Sequence, residues 1–195
     1  MGSIHLILGP MASGKSSELL RLLTRASIAK KKPVILFRSQ MDTRDFLTRN
    51  KTVLDPSILQ LQVKDSLLGY VSENSEYLVN KTIGIDEGQF FKDLAMGCQI
   101  LTSFGSDVVV SGLNGTSERG AFSEISELIP YVETITKLNA ICSCCGSEYG
   151  AFTHYKGDKT KDTEIKVGGD DLYEALCRDC YHESLISESL HGKQA

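Results

Sequence analysis

Ile7-Leu8-Gly9-Pro10-Met11-Ala12-Ser13-Gly14-Lys15-Ser16-Ser17 (ILGPMASGKSS) follows a short apolar run and precedes a segment of helically spaced leucines. Gly9 to Ser16 fits G-x-x-x-x-G-K-[ST], with a strand before it and a helix after it as that pattern requires. The glycines let backbone N–H groups turn inward around phosphate oxygens, and the following helix adds its positive end. Gly9, Pro10, Met11, Ala12, Ser13, Gly14, Lys15, Ser16 and Ser17 are therefore the candidate phosphate cradle. Lys15 is expected to reach the β and γ phosphates of a nucleoside triphosphate, and the Ser16 hydroxyl to ligate Mg²⁺.

Outward from this loop, apolar runs alternate with helical spacing. Ser3 to Leu8 reads as a buried strand and Ser16 to Ala29 as a helix, with Leu19, Leu20, Leu22, Leu23 and Ile28 on its apolar face. Val34 to Phe37, Ser57 to Val63, Thr82 to Glu87 and Asp107 to Leu113 read as further strands. Helices are expected over 65–80 with Asp65 as N-cap, over 91–105 closed by Gly105, and over 122–132 with an interruption at Pro130. The alternation predicts an α/β fold of the P-loop NTPase type, a parallel sheet flanked by helices. From Ala140 cysteines, glycines and short β-like pieces take over. This places a P-loop α/β domain at 1–139, a small domain at 140–183 and a polar, flexible tail at 184–195.

The bulk numbers narrow the class. Apolar residues make up 41% of the 195 and charged residues 24%, as in an ordinary globular protein. A net charge of −4 argues against bulk nucleic acid as a partner. The run Lys30-Lys31-Lys32 reads as a helix end, where lysines cap carbonyls. No apolar stretch reaches the roughly 18–20 residues of a membrane span, and no secretion signal precedes the first strand, so a cytoplasmic protein without a membrane partner is expected.

Two more constellations carry chemistry. Asp86 ends an apolar strand, where open α/β sheets place their ligands, and is expected to hold Mg²⁺ through water. Glu87 beside it is the candidate base for a hydroxyl nucleophile. Cys142-x2-Cys145 and Cys177-x2-Cys180, separated by 31 residues, can place four thiolates around one structural Zn²⁺. A closed site of that kind folds a domain too thin for its own core. Disulfides are the alternative reading. Cys144 and Cys98 are left as free thiols, and His182 is a weaker rival ligand.

In the family's order and spacing, GPMASGKSSELLR, MDTR (Met41 to Arg44), IGIDEGQFF, SGLNGTSERGAFSEISELIPYVETITKLNAIC and GGDDLYEALCRDCY resemble the type II, cytosolic-type thymidine kinases over about residues 3 to 182. The resemblance implies transfer of the ATP γ-phosphate to the 5′-hydroxyl of thymidine, and of deoxyuridine, in pyrimidine salvage. It also implies a zinc-bearing lasso domain, a homotetramer and feedback inhibition by dTTP. Carried over position by position, it implies Glu87 as general base, Asp42 beside Mg²⁺ and Arg44 beside the phosphates. Met11, Phe90, Leu113, Thr116 and Phe122 would wall the nucleoside. Thr153 and the segment Ile165, Lys166, Val167, Gly168 to Tyr173 would close over the thymine. The chain departs from the family at Ser117, where an aromatic is frequent, at Asn114, often Asp, and at Glu164 and Lys166, often valines. No "SHDG"-like segment follows Arg44. A P-loop ATPase with a nucleic-acid-binding zinc module is the competing reading. ATP turnover stimulated by single-stranded DNA and not by thymidine would favour it. A catalytically weak relative retained for binding is the third.

Overall fold

The computed structural model describes residues 1–29, 31–42, 48, 53–157, 168–169 and 171–191. The apolar run at the start forms β1 (Ile4–Gly9), and the leucine-spaced segment forms α1 (Lys15–Ala29). Then come β2 (Val34–Ser39), β3 (Leu59–Val63), α2 (Leu67–Glu73), β4 (Thr82–Asp86), α3 (Leu94–Ser103), β5 (Asp107–Leu113), α4 (Ser123–Leu128) and β6 (Thr134–Lys137). The six strands form one sheet in the order β3-β2-β4-β5-β1-β6, and every neighbouring pair is parallel. The α/β reading holds.

A parallel sheet is covered on both faces, because its crossover helices must lie somewhere. Alternate strand residues point to opposite faces, so each strand feeds two cores. Ile35, Phe37, Ile83, Ile85, Val108 and Val110 pack with Leu67, Val71, Leu94 and Leu101 of α2 and α3. Ile7, Val34 and Leu36 pack on the other face against Leu19, Leu20 and Leu23 of α1. Burying each such leucine contributes roughly 1.5–3 kcal/mol relative to leaving it in water. Helix α1 lies closest to the sheet over β4: a Cβ on Gly84 would stand 2.5 Å from Leu23 Cδ1. Only a glycine there lets the helix that follows the phosphate loop sit this close.

Several local expectations are corrected. The N-cap of α2 is Ser66, whose hydroxyl accepts from the Gly69 N–H, and the helix ends at Glu73 rather than Asn80. Asp65 instead pairs with Lys92 at 2.7 Å, while the Asp93 carboxylate accepts from the Leu67 and Leu68 N–H groups. Ile28 is largely exposed, outside the α1 face that packs. Lys32 reaches the Gly105 carbonyl and Asp107 instead of its own helix end. Strand β4 stops at Asp86, and β6 is an edge strand that the sequence pattern does not mark.

Beyond the sheet, Ala140 and Gly150 form an isolated antiparallel bridge. β7 (Phe152–Tyr155) and β8 (Tyr173–Leu176) pair antiparallel, and α5 (Arg178–His191) begins within the last cysteine pair and carries Cys180 in its first turn. The helix carries on past Glu183, where the polar composition predicts a flexible tail. Among the described residues no helix is long and apolar enough to cross a membrane.

Candidate active site and metal centre

The phosphate loop leaves the C-terminal end of β1 and turns through two left-handed residues, Ala12 (φ 64°) and Gly14 (φ 81°). Gly14 takes that conformation without cost, whereas Ala12 does not, and backbone strain of this kind concentrates where a ligand is cradled. Ser13 Oγ and Lys15 Nζ both donate to the Pro10 carbonyl, at 2.9 and 2.7 Å. The loop is thus already folded around its own lysine, and Lys15 is buried.

The sheet order puts β5 beside β1 and β4 next to β5, and all three are parallel, so their C-terminal ends lie at the edge of the sheet from which this loop leaves. Asp86, 1% exposed, accepts from Ser16 Oγ at 3.0 and 3.1 Å and from Ser111 Oγ at 2.5 Å. The loop serine and the strand-end aspartate, each expected at Mg²⁺, are thus hydrogen-bonded to one another, with Ser111 of β5 as a third member that the sequence reading misses. A hydroxyl and a carboxylate are hard oxygen donors of the kind Mg²⁺ takes, so the residues fit that ion. Arg38 of β2 is the register partner of Asp86 and is itself buried. Its guanidinium meets Asp42 Oδ2 at 2.9 and 3.2 Å, which fixes Asp42 just past the end of β2. Arg38 too goes unmarked in the sequence, because an arginine inside an apolar strand carries no spacing signal.

Glu87 directly follows β4 in a left-handed conformation (φ 53°, ψ 53°), and a 3₁₀ turn, Gly88–Phe90, comes after it. For a non-glycine residue this is a strained geometry. Gln89, buried, donates from Nε2 to Glu87 Oε2 at 2.7 Å and accepts at Oε1 from the Leu113 N–H at 3.1 Å. A carboxylate only accepts and an N–H only donates, so the amide can face just one way. Gln89 thereby ties the candidate base to the end of β5, a role nothing in the sequence pattern announces.

The cysteine unit reaches the same region. Thr153 of β7, buried, accepts at Oγ1 from the Met11 N–H at 3.0 Å. Asn114 Nδ2 donates to the Ala151 carbonyl at 3.3 Å. Met11, Phe90, Leu113, Thr116, Phe122, Gly168 and Tyr173 are all half-buried, as side chains lining an enterable site would be. Phe122 also packs against the α2–α3 core. Lys156 N–H bonds to the Leu172 carbonyl, closing the base of the segment between β7 and β8. Arg44, Ile165, Lys166 and Val167 lie outside the described residues.

The ligand atoms of Cys142, Cys145, Cys177 and Cys180 all lie within 4.8 Å of one another. Four sulfurs at about 2.3 Å from one ion stand about 3.8 Å apart along each tetrahedral edge. The Cys145–Cys177 separation of 3.7 Å matches that edge, so the donor set fits zinc. The two turns are locked together by the Ser143 N–H on the Ala175 carbonyl. Burial disfavours the Cys142 thiolate, yet the backbone groups of Cys145, Cys177 and Cys144 outweigh it and bring its pKa down to about 6. A thiol ionised near neutrality is ready to bind metal. All six cysteines are free of disulfides, so the disulfide alternative is not realised. Cys144 is exposed, and Cys98 is fully buried in the sheet core, where burial pushes its pKa up.

Comparison with known proteins agrees with this geometry. A family model described as thymidine kinase matches residues 2–181. The chain is 43% identical over 188 residues to the thymidine kinase of Rabbit fibroma virus (strain Kasza), covering 92% of this chain and 96% of the viral one. It is 38% identical over 185 residues to the cytosolic thymidine kinase of Homo sapiens, covering 92% of this chain and 73% of the human one. Among solved structures, the flagellar accessory protein FlaH of Methanocaldococcus jannaschii superposes with a TM-score of 0.50 at 15% identity, over 92% of this chain and 80% of that one. At that identity the likeness concerns the fold alone.

Proposed function

The chain belongs to the thymidine kinase family and is an ATP-dependent nucleoside kinase, and we propose that it passes the γ-phosphoryl group of ATP to the 5′-hydroxyl of thymidine with Glu87 as the base. The observation that carries this reading is the arrangement at the strand ends: the Ser16–Asp86 pair and the Gln89-held Glu87 carboxylate occupy adjacent positions at the tip of β4.

Phosphoryl transfer needs in-line positioning and charge neutralisation more than covalent catalysis. Lys15 and the loop N–H groups hold the triphosphate, with Arg44 beside them. Ser16, Asp86 and Asp42 would hold Mg²⁺, which supplies positive charge against the phosphate oxygens when bound. Glu87 takes the O5′ proton as the O5′–phosphorus bond forms and the bond to the ADP oxygen breaks. The proton ends on Glu87 and the products are dTMP and ADP.

On the acceptor side, Met11, Phe90, Leu113, Thr116 and Phe122 form the walls, and Thr153 with the segment through Ile165, Lys166, Val167, Gly168 and Tyr173 covers the base. Cys142, Cys145, Cys177 and Cys180 would hold a structural zinc that fixes both ends of that cover and takes no part in the chemistry. A lid of this kind excludes water, which would otherwise compete with the sugar hydroxyl for the phosphoryl group. The resemblance further implies turnover of deoxyuridine, a cytoplasmic homotetramer in nucleotide salvage for DNA synthesis, and feedback by dTTP.

The test is a phosphorylation panel with Mg-ATP and thymidine, deoxyuridine, deoxycytidine and the purine deoxynucleosides. Thymidine and deoxyuridine are expected to turn over and the others to lag. Preference for a purine or for cytosine would contradict the acceptor assignment.

A further inference from the structure

Tyr181, the residue after the last cysteine of the tetrahedron, is 2% exposed and touches three parts of the molecule. Its ring belongs to the small core formed by Cys142, Leu176 and Cys177. It meets Phe152 and His154 of β7 at centroid distances of 5.4 and 5.9 Å. Its hydroxyl donates to the main-chain carbonyl of Ser117 at 2.5 Å, and the Arg119 guanidinium lies 5.0 Å above the ring. The phosphate loop does not need this residue, and no part of the chemistry above uses it.

The loop it grips runs from the end of β5 to α4. Within the loop, the Thr116 N–H donates to the Gly120 carbonyl and Thr116 Oγ1 accepts from the Gly120 N–H, so the two ends of 116–120 are tied to each other. At its start, Asn114 is tied to the Gly9 carbonyl through its N–H and to Ala151 through its side chain. The Tyr181 hydroxyl fixes the far end. Because the acceptor is a main-chain carbonyl, the tie survives whatever side chain stands at 117. That suits a chain with serine there, where no aromatic can anchor the loop by packing.

We propose that Tyr181 is a positioning residue for the nucleoside: it transmits the placement of the metal-bound turn to the Thr116 loop and so sets thymidine affinity. The proposal rests on the reading that Leu113, Thr116 and Phe122 face the nucleoside. Tyr181→Phe keeps the ring, the aromatic contacts and the cation above it, and removes only the donor. Losing one neutral hydrogen bond is worth about fivefold in an equilibrium.

The experiment measures KM for thymidine and for ATP, kcat, and bound zinc per chain in the wild-type protein and in Tyr181→Phe, Arg119→Gln and Phe122→Ala. Tyr181→Phe is expected to raise the thymidine KM about fivefold, with ATP KM, kcat and zinc content unchanged. Arg119→Gln, which weakens the grip from the loop side and leaves the metal turn alone, is expected to raise it in the same direction. An unchanged thymidine KM in Tyr181→Phe, with Phe122→Ala raising it, overturns the proposal and leaves the acceptor walls standing. An unchanged KM in Phe122→Ala overturns both. Loss of zinc or of ATP binding in Tyr181→Phe also overturns it, since the residue would then be a general prop of the fold.

Discussion

The Met11 N–H, in the middle of the phosphate loop, donates to the Thr153 hydroxyl of the metal-bearing unit at 3.0 Å, across 142 residues of sequence. One hydrogen bond therefore joins the loop proposed to hold ATP to the unit proposed to cover the nucleoside. Thr153→Val leaves a loop N–H without its partner and removes the seam. Thymidine KM is expected to rise about fivefold to tenfold while ATP affinity moves less. Equal loss of both affinities in steady-state kinetics would count against a seam that serves the acceptor side.

The Gln89 amide restrains the Glu87 carboxylate and the Leu113 N–H at once. Gln89→Leu keeps a side chain of similar bulk, removes one restraint on the proposed base, and leaves a main-chain donor unpaired. A fall of roughly tenfold to a hundredfold in kcat is expected, since general-base catalysis as a whole is worth about 10²–10⁴-fold. Nucleotide binding measured by equilibrium titration should stay intact. An unaltered kcat would show that Glu87 needs no such restraint.

Cys177→Ser removes one of four cysteines that could hold zinc across both turns, and chelation would remove the ion itself. The unit has a thin core of its own, Cys142, Leu176, Cys177 and Tyr181, so a metal held there would supply much of its folding free energy. Thymidine turnover is expected to fall steeply with ATP binding largely retained. Full activity in protein shown by elemental analysis to be metal-free would refute the structural role.

His5 on β1 lies 2.8 Å from Thr136 Oγ1 on β6, joining the edge strand to the sheet. Burial holds its pKa below the ordinary imidazole value; Glu18 pulls it up and Arg21 adds to the lowering. The fold therefore favours the neutral ring. Its contribution to stability is complete above about pH 6.5 and is lost as pH falls through the depressed folded value. Denaturant melts at pH 7 and pH 5 should show a larger loss in the wild-type protein than in His5→Gln. Identical losses would remove His5 from the pH response.

How much of this was readable in advance divides along a physical line. The phosphate loop, the alternation of strands and helices, and the two C-x2-C turns are local patterns, set by neighbours a few residues apart, and they appear where the sequence places them. Ser111, Arg38, Gln89 and Tyr181 act through partners that only the sheet order or the metal unit brings near. Ser111 reaches Asp86 from 25 residues away and Tyr181 reaches Ser117 from 64. The N-cap of α2 falls in the same class. Asp65 has the right type and position, but Lys92 claims it; Ser66 is the N-cap, and Asp93, 26 residues from Leu67, accepts from the Leu67 N–H. Glu87 lies between the two. Its type and neighbours mark it as the candidate base, while its left-handed backbone emerges only in the fold.

The most direct test of the central claim is ADP release by the wild-type protein and by Glu87→Gln, with Mg-ATP, as thymidine is added. The wild-type protein is expected to release one ADP per dTMP formed and almost none without thymidine. Glu87→Gln should lose at least about a hundredfold in kcat while still binding ATP. Near-normal, thymidine-dependent turnover in Glu87→Gln would contradict the assignment of the base.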